Sequence, residues 1–462
     1  MTKSKTAKKS VFAASIVLLG LMLPAGAQDN PLLWRGRLET DHRILLRHER
    51  EWAWNENRLE LQLEKRANPL RVVSNVWIRH LGPATAERST ELQDKNRIHP
   101  LRPELREAYA GVYGFISDRL DMTIGRQHIA WGTADRFNPT NNLNPPDLED
   151  ILDFGRSKGS DALNLQWHFD HHSSLQLVFI PLFRPANLPA GIFSGLFDLP
   201  IEPPAGLRIG TYTDTLEMPH NNLRKAGSLG GRFRALAGNT DVSVSYVWGP
   251  DPLPLPREAW VQASGSSHAL DVEAVLFYPY RHIIGADMAG SIGRTGIWAE
   301  AALFIPTREV VLTTHISPPA ALPMPLPPQT QETILEKEPY LRIVAGADYT
   351  LSGGTYLNIQ YIRGFLHERG RDALNDYLVV QTSRHLRQNT LRVEPVTGGF
   401  TVADRGDPAG NYGFFYAPSI AYLGVDNLEF SLGAFLFGGK GNNLFAGLLE
   451  LHMIRLHARA SF

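Results

Sequence analysis

The chain has 462 residues, with 46 basic and 47 acidic side chains and no cysteine. A formal charge this close to zero argues against nucleic acid as a partner. The lack of cysteine excludes disulfides, thiolate metal sites, c-type haem attachment and cysteine nucleophiles. No residue pattern points to another metal site or to a cofactor, so we expect neither.

The first 27 residues have the pattern of a secretory signal peptide. Four lysines precede an apolar run at 11–23, and the small residues Ala25-Gly26-Ala27 follow it. This order predicts cleavage after Ala27. The apolar run is shorter than the about 20 residues that span a bilayer, although a retained anchor is the alternative. Gln28 stands after the cleavage point, so a lipid anchor on cysteine is not expected.

After residue 27 the chain has no apolar run long enough for a transmembrane helix, and short alternating segments replace it. The last segment is representative, because Ile454 and Leu456 alternate with Arg455 and His457 up to the terminal Phe462. A period of two with one apolar row and one charged row indicates a strand. In an outer-membrane barrel the apolar row faces lipid and the charged row faces a wet lumen.

Reading the same alternation along the chain predicts eighteen strands, separated by Gly, Pro, Asn and Asp. They lie at 34–41, 58–64, 70–79, 104–116, 119–131, 162–169, 173–181, 226–237, 240–248, 281–291, 295–306, 340–351, 355–365, 375–386, 389–399, 411–423, 426–437 and 449–462. Residues 257–278 also have strand character. Counting them as a spanning strand would make the total odd and would move the long loop 307–338 to the periplasmic side, so we assign them to an external loop.

The predicted fold is therefore all-β: one transmembrane antiparallel barrel over residues 28–462, with short periplasmic turns, in the bacterial outer membrane. The external loops are predicted at 182–224, 249–280, 307–338 and 438–448. A soluble sandwich or propeller is the alternative, but the chain has no blade-length repeat. Aromatic residues near predicted strand ends, among them Trp77, Trp131 and Tyr422, favour membrane-interface girdles.

The rows opposite the apolar ones would line the lumen, and they are rich in arginine. The predicted pore-lining arginines are Arg35, Arg37, Arg58, Arg71, Arg79, Arg106, Arg232, Arg234, Arg342, Arg455 and Arg459. Fewer acids share these rows: Glu39, Glu60, Glu64, Glu300, Asp348 and Glu429. Fixed guanidinium groups on a narrow wall favour anions. The alternative is that the arginines pair with the acids as a charge lattice.

The segment 125–147 leaves a predicted strand and runs into a loop rich in Asn, Pro and Asp. Such residues stiffen an irregular path through hydrogen bonds to the backbone. If the loop 132–160 folds into the barrel, Asp135, Asn138 and Asn141 are candidates for a constriction that contacts solute. The alternative is a rigid external cap.

Short motifs in this segment and elsewhere resemble those of a poorly characterised family of proteobacterial outer-membrane barrels. The motifs are Arg126-Gln127, Trp131-Gly132, Asn138-Pro139, Gly285-Ala286-Asp287, the run 298–302 and the run 428–435. That family is associated with inner-membrane transporters of the resistance–nodulation–division (RND) type and is distantly similar to alginate-export porins. The resemblance implies an eighteen-stranded porin or exporter without a defined substrate. The Pro-rich insert 313–328 and the loop 182–224 make this chain bulkier on its outer side.

Residues that could support catalysis are few, and we expect no enzyme. Ser383, His385 and His452 could belong to a lipid-acting barrel enzyme, but the topology places the two histidines at opposite edges. The segment 170–173 (Asp-His-His-Ser) is better explained as a polar turn than as a metal cluster. The Gly-rich run 438–443 joins two strands and precedes no helix, so it does not qualify as a phosphate loop.

The sequence thus predicts a channel that passes polar, mostly anionic solutes by diffusion or acts as an export conduit. The alternatives are the barrel enzyme and a translocator that releases hydrophobic compounds laterally through the wall. The expected partners are outer-membrane lipid, the barrel-assembly machinery through the strand ending in Phe462, and an inner-membrane RND-type transporter.

Overall fold

The fold is described from a computed structural model for residues 31–47, 51–197, 208–219, 226–264, 269–317 and 328–462. The predicted signal peptide and its cleavage site lie outside these residues. No helix within the described ranges is long and apolar enough to cross a membrane.

Nearly all of the regular structure is strand. The strands are β1 Leu33–Leu45, β2 Trp52–Ala67, β3 Leu70–Leu81, β4 Leu101–Val112, β5 Leu120–Gln127, β6 Ser160–His168, β7 Ser173–Ile180, β8 Arg208–Glu217, β9 Ser228–Ala237, β10 Thr240–Pro250, β11 Leu255–Ala263, β12 Ala269–Phe277, β13 Tyr280–Ile292, β14 Thr295–Pro306, β15 Val310–Ser317, β16 Gln329–Leu335, β17 Tyr340–Thr350, β18 Thr355–Arg363, β19 Asp376–Leu386, β20 Leu391–Glu394, β21 Thr397–Val402, β22 Tyr412–Tyr416, β23 Ser419–Val425, β24 Leu428–Lys440 and β25 Met453–Ser461. The helical segments are Ser89–Gln93, Lys95–Ile98, Gly191–Phe197 and Ala446–Leu448.

Twenty of these strand segments form one sheet that closes on itself, because β1 pairs with β2 on one side and with β25 on the other. β20 and β21 are the two parts of one broken spanning strand, and β22 and β23 are the two parts of another. The wall therefore has eighteen antiparallel strands. The predicted fold class and strand number are confirmed. Closure leaves no strand edge, which a wall in hydrocarbon requires.

Neighbouring wall strands are joined by tight turns at one end of the barrel, such as the turn between β9 and β10 and that between β13 and β14. All the long connections lie at the other end, which we call the loop side; the first end is the turn side. Glycines in the left-handed region, such as Gly238 (φ 64°) and Gly293 (φ 61°), make these tight turns possible. This arrangement agrees with the prediction of an even number of strands with all the long loops at one end.

The outer surface of the wall is apolar because each strand exposes its alternate residues. On β10, Val244 and Tyr246 are 58% and 44% exposed, whereas Ser243 and Ser245, which alternate with them, are buried. On β24, Phe430 and Leu432 are both 49% exposed. A continuous apolar band of this kind suits lipid rather than water.

A second sheet stands beyond the wall on the loop side. It has five strands in the order β16-β15-β11-β12-β8, and it includes two parallel pairs, β11 with β15 and β12 with β8. The strand-like segment 257–278 contributes to this sheet as β11 and β12, rather than to the wall. Three loops that are distant in sequence therefore fold together outside the barrel.

Candidate functional site: a lumen narrowed by an inward loop

Residues 128–159, between β5 and β6, fold into the barrel, and we call them the inward loop. Its Trp131 and Leu143 are only 2% and 3% exposed. They belong to one hydrophobic cluster with the wall residues Val178, Ile283 and Phe304. This cluster packs the loop-side lumen along β7, β13 and β14. The prediction that Trp131 lies in an interface girdle was wrong, because the loop carries this side chain inward.

Acidic residues of the inward loop attach it to arginines on the opposite wall. The pairs are Asp150 with Arg43 on β1 (2.6 Å), Glu149 with Arg79 on β3 (2.6 Å) and Asp147 with Arg106 on β4 (3.0 Å). All six side chains are at most 9% exposed, so each charge is buried with its partner. Removing one partner of such a pair is costly because the other charge is left uncompensated.

Asp147 shows how this arrangement keeps a buried carboxylate ionised. Burial alone would raise its pKa, but the guanidinium groups of Arg156 and Arg106 and the ammonium group of Lys158 hold the pKa below its usual value. A lowered pKa means that the anchor is fully formed at neutral pH and is lost only in acid, as the carboxylate is protonated.

Glu300 on β14 is the anchor on the other side of the lumen. Its carboxylate accepts from the backbone N–H groups of Thr133 and Ala134 and from the Thr140 hydroxyl (3.0 Å). Gly132 adopts φ +95°, and a Cβ there would lie 2.6 Å from Glu300 Oε1. The Trp131-Gly132 motif therefore lets the loop approach this carboxylate closely.

The three predicted constriction residues lie in the inward loop but do not share one surface. Asp135 lines a cavity beside β18, and its backbone carbonyl accepts from Gln360 (3.3 Å). Asn138 and Asn141 line a separate cavity on the loop side. The Asn141 side chain accepts from Asn144 (3.0 Å), so it also stabilises the loop itself.

Three cavities lie around the inward loop: one between it and the connections that follow β18 and β24, and two between it and the wall strands β18–β25 and β1–β3. We call them the loop-side cavity (about 130 Å³), the aromatic cavity (about 220 Å³) and the arginine cavity (about 650 Å³). Arg136 and Phe154 of the inward loop line all three. The cavities thus form a series from the loop side towards the turn side, on the part of the lumen that the hydrophobic cluster does not fill.

Arg136 is the functional candidate that sequence reasoning missed. It has φ 65°, in the left-handed region that non-glycine residues rarely adopt, and its side chain is exposed in the lumen. Gly155 packs directly under it, since a Cβ on Gly155 would lie 1.9 Å from the Arg136 carbonyl oxygen. No ion pair of Arg136 occurs among the described residues. What could have pointed to Arg136 in the sequence is its position between Asp135 and Asn138, two of the predicted constriction residues.

All eleven predicted pore-lining arginines lie on the lumenal rows of their strands, and most have an acidic partner. The pairs are Arg37 with Glu60, Arg58 with Glu39, Arg71 with Glu64, Arg79 with Glu56, Arg106 with Asp147, Arg232 with Asp287, Arg234 with Asp241, Arg455 with Asp41 and Arg459 with Glu429. Arg342 is 1% exposed and donates to the backbone carbonyls of Leu366 and Glu368. Within the described part of the chain, Arg35 has no ion pair.

Sequence reasoning missed several lumenal charges, and it misplaced Trp77. Acids that it did not count include Asp41, Glu56, Glu104, Asp287 and Glu394, and the missed arginines include Arg43, Arg281 and Arg392.

Trp77 lies inside the barrel, where the Arg58 and Arg106 guanidinium groups sit 4.2 and 4.1 Å from its ring centroid. The girdle prediction for Trp77 was wrong, although β3 alternation puts this residue on the row of Arg79.

Along the arginine cavity the guanidinium groups face solvent while their carboxylate partners lie behind them. We call Arg37, Arg455 and Arg459 the arginine strip. Arg455 is 32% exposed against 8% for Asp41, and Arg459 is 43% exposed against 9% for Glu429. Arg37 is 46% exposed, and its distance to Glu60 is 3.6 Å. Within each of these pairs a solute therefore meets the guanidinium group first, although acids such as Asp153, which is 45% exposed, also line the cavity.

The residues considered for catalysis do not come together. His385 lies at the turn-side end of β19, whereas His452 precedes β25 on the loop side and accepts from the Phe437 backbone N–H. Asp170 accepts from the backbone N–H groups of His172 and Ser173 (both 2.7 Å), as in a polar turn. No group of three or more potential metal ligands occurs among the described residues.

Comparison with known proteins identifies the architecture only. No protein family and no curated protein matches the sequence. Among solved structures, Acinetobacter baumannii OccAB4 is similar with a TM-score of 0.50 and 8% identity, covering 95% of this chain and 99% of that chain. Salmonella typhi OmpF in complex with daunomycin has a TM-score of 0.41 and 10% identity, covering 94% and 98%. The likeness to OccAB4 agrees with the outer-membrane barrel fold.

Proposed function

We propose that this protein is an outer-membrane channel through which small polar solutes, chiefly anions, diffuse past the inward loop. The apolar band around the wall supports a place in a lipid bilayer, and the series of three cavities supports a route through the lumen. The OccAB4 and OmpF likenesses agree with this proposal but carry no information on the solute.

The observation that carries the preference for anions is the exposure of the arginine strip. Its guanidinium groups line the arginine cavity and are more exposed than the carboxylates of their partners Glu60, Asp41 and Glu429. A guanidinium group presents planar donors that fit carboxylate, phosphate or sulfate. The exposed Arg136 extends this positive surface to the point where the three cavities meet.

The test is the reversal potential of single channels in a planar bilayer under a salt gradient. Replacing Arg37, Arg455 and Arg459 together by Gln should lower the anion-to-cation permeability ratio. One unit charge about 4 Å away in water contributes about 1 kcal/mol, which is roughly fivefold in local ion concentration.

The matched control is Arg232→Gln together with Asp287→Asn on the opposite wall. Arg232 and Asp287 are only 13% and 1% exposed and pair with each other, so replacing both leaves no buried charge unpaired and the permeability ratio should change little. An unchanged ratio in the triple variant would refute the role of the arginine strip. A protein that inserts into bilayers without conducting would refute the channel itself.

The partners of this channel are also proposals. The exposed terminal Phe462 suits recognition of the last strand by the barrel-assembly machinery, and an RND-type transporter would make the channel part of an export route. No contact in the described residues favours the lipid-acting enzyme, and we do not propose it.

A further inference from the structure

The aromatic cavity combines an apolar wall with a positive group. Phe137, Phe154, Phe365, Phe415 and Phe435 line it, with ring centroids of Phe137 and Phe365 5.4 Å apart. Arg136 and Arg455 border the same cavity, and so do the acids Asp135 and Glu394. A purely polar solute gains no favourable contact from five phenyl rings, whereas an organic anion with an apolar body would bury that body against them.

The barrel wall behind this cavity is the part where two neighbouring strands are broken at the same level. β20 ends at Glu394 and β21 starts at Thr397; beside them, β22 ends at Tyr416 and β23 starts at Ser419. Each gap contains a proline, Pro395 or Pro418, which cannot donate to the sheet. We call residues 395–397 and 417–418 the interrupted patch.

The patch lacks a continuous backbone ladder. Its backbone bonds are those from Thr382 N–H to the Val396 carbonyl (2.6 Å), from Ala417 N–H to the Thr397 carbonyl (2.7 Å) and from Ala434 N–H to the Pro418 carbonyl (3.1 Å). Side chains add to them, since the Tyr416 hydroxyl donates to the Pro395 carbonyl (2.7 Å) and the Thr382 hydroxyl accepts from Val396 N–H (3.1 Å). The Thr397 hydroxyl is buried without a hydrogen-bond partner among the described residues. By contrast, the pairing of β13 with β14 is unbroken. It runs from the pair of Arg281 and Pro306 to the pair of Ile292 and Thr295.

We propose that the interrupted patch is a lateral portal, through which an organic anion with an apolar body passes from the aromatic cavity into the membrane. Thr397, Ala417, Pro418 and Ala434 all line that cavity, so the weakened wall and the apolar pocket adjoin. Side chains at the patch are small. Separating the strands there breaks fewer backbone bonds than in the unbroken ladder of β13 and β14, together with the bond from Tyr416 to Pro395. The proposal goes beyond diffusion along the lumen and rests on the proposed channel only for delivery of the anion to the cavity.

The test locks the patch with a disulfide, which the cysteine-free chain allows without side pairing. Gly398 pairs with Tyr416, and the Ala417 N–H next to this pair donates to the Thr397 carbonyl. Residues 397 and 417 therefore lie opposite each other. Directly opposite residues of antiparallel strands are about 4.5–5.5 Å apart at Cα, within disulfide range. The variant is Thr397→Cys with Ala417→Cys, and the control is Ala286→Cys with Ala301→Cys, which are paired on β13 and β14.

The probe is anilinonaphthalene sulfonate (ANS), an aromatic sulfonate that becomes fluorescent when it reaches the apolar interior of a membrane. In Gram-negative cells that produce the protein, we expect the oxidised patch variant to lose the protein-dependent rate of the fluorescence rise, and a reductant to restore it. The oxidised control variant should keep the rate. Chloride conductance of both purified variants in planar bilayers should equal that of the parent protein.

Any of three results would overturn the portal. One is an unchanged rate of ANS uptake in the oxidised patch variant. Another is a loss of that rate together with chloride conductance, which would show that the crosslink blocks the lumen. A parent protein that conducts chloride but never accelerates ANS uptake would also refute the portal while leaving the proposed channel intact.

Discussion

Gly36 and Phe462 show how single residues close the barrel. The backbone groups of these two residues bond each other in both directions (2.8 and 2.9 Å), and the Phe462 ring lies over Gly36 on the outer surface. The ring also contacts Trp34 edge-on at 5.8 Å between centroids. A Cβ at position 36 would lie 2.2 Å from the ring, so glycine lets the ring take this position.

Gly36→Ala should therefore displace the Phe462 ring and weaken the seam between β1 and β25. Because the ring is 58% exposed and can move, the cost should lie near or below about 1 kcal/mol, the lower end for overpacking a core, and it is measurable as a lower urea midpoint in detergent. Gly231→Ala is the control on the outer face of β9, because a Cβ there meets only Leu177 at an ordinary 3.5 Å. Equal midpoints for the two variants would contradict the proposed tight contact.

The lumenal position of the arginine strip could be predicted at the residue scale, because one alternation fixes the faces of a whole strand. Arg455 had to lie opposite Leu456 once Leu456 faced lipid. The pairing of Arg455 with Asp41 could not be predicted in this way, since it depends on the register between the first and the last strand. The lumenal position of Arg136 could not be predicted either, because no periodicity applies to an irregular loop.

At the scale of elements, the inward loop is held by anchors on both sides of the lumen. Glu300→Ala removes the anchor that accepts from Thr133, Ala134 and Thr140. We expect single-channel conductance to rise and to become noisier, because the released loop leaves the hydrophobic cluster less firmly packed. Leaving the buried N–H groups without acceptors costs about 1–3 kcal/mol each.

Asp348→Ala is the matched control, since Asp348 is a lumenal acid on the neighbouring strand β17 and accepts from Tyr356 (3.3 Å) rather than from the loop. Its conductance should resemble that of the parent protein. Identical conductance in the Glu300 and Asp348 variants would show that this carboxylate does not position the loop.

The broken strands and the second sheet mark how far alternation predicts elements. Residues 389–399 were predicted as one strand although Pro395 lies inside it, and a proline in a central strand is a warning of a break. The parallel pairs of the external sheet, such as β11 with β15, join segments from different loops. Pairing between distant segments depends on tertiary packing, which a local pattern does not contain.

For the whole molecule, parity was more informative than any single segment. Counting residues 257–278 as one spanning strand would have made the number of strands odd, and the segments β11 and β12 formed there do stay out of the wall. The alternation along each strand fixes which of its faces meets lipid. It therefore predicts opposite outcomes for adjacent residues.

Leu432 and Ser431 on β24 provide that test. Leu432 is 49% exposed towards lipid, whereas Ser431 faces the arginine cavity. Arginine on the lipid face of such a barrel costs up to about 2–4 kcal/mol near the bilayer midplane, while a lumenal arginine remains hydrated. Leu432→Arg should therefore lower the unfolding free energy in lipid vesicles far more than Ser431→Arg, as measured by urea titration of tryptophan fluorescence. Equal losses would mean that the two faces of β24 are not lipid and water, and the eighteen-stranded wall would not be a membrane wall.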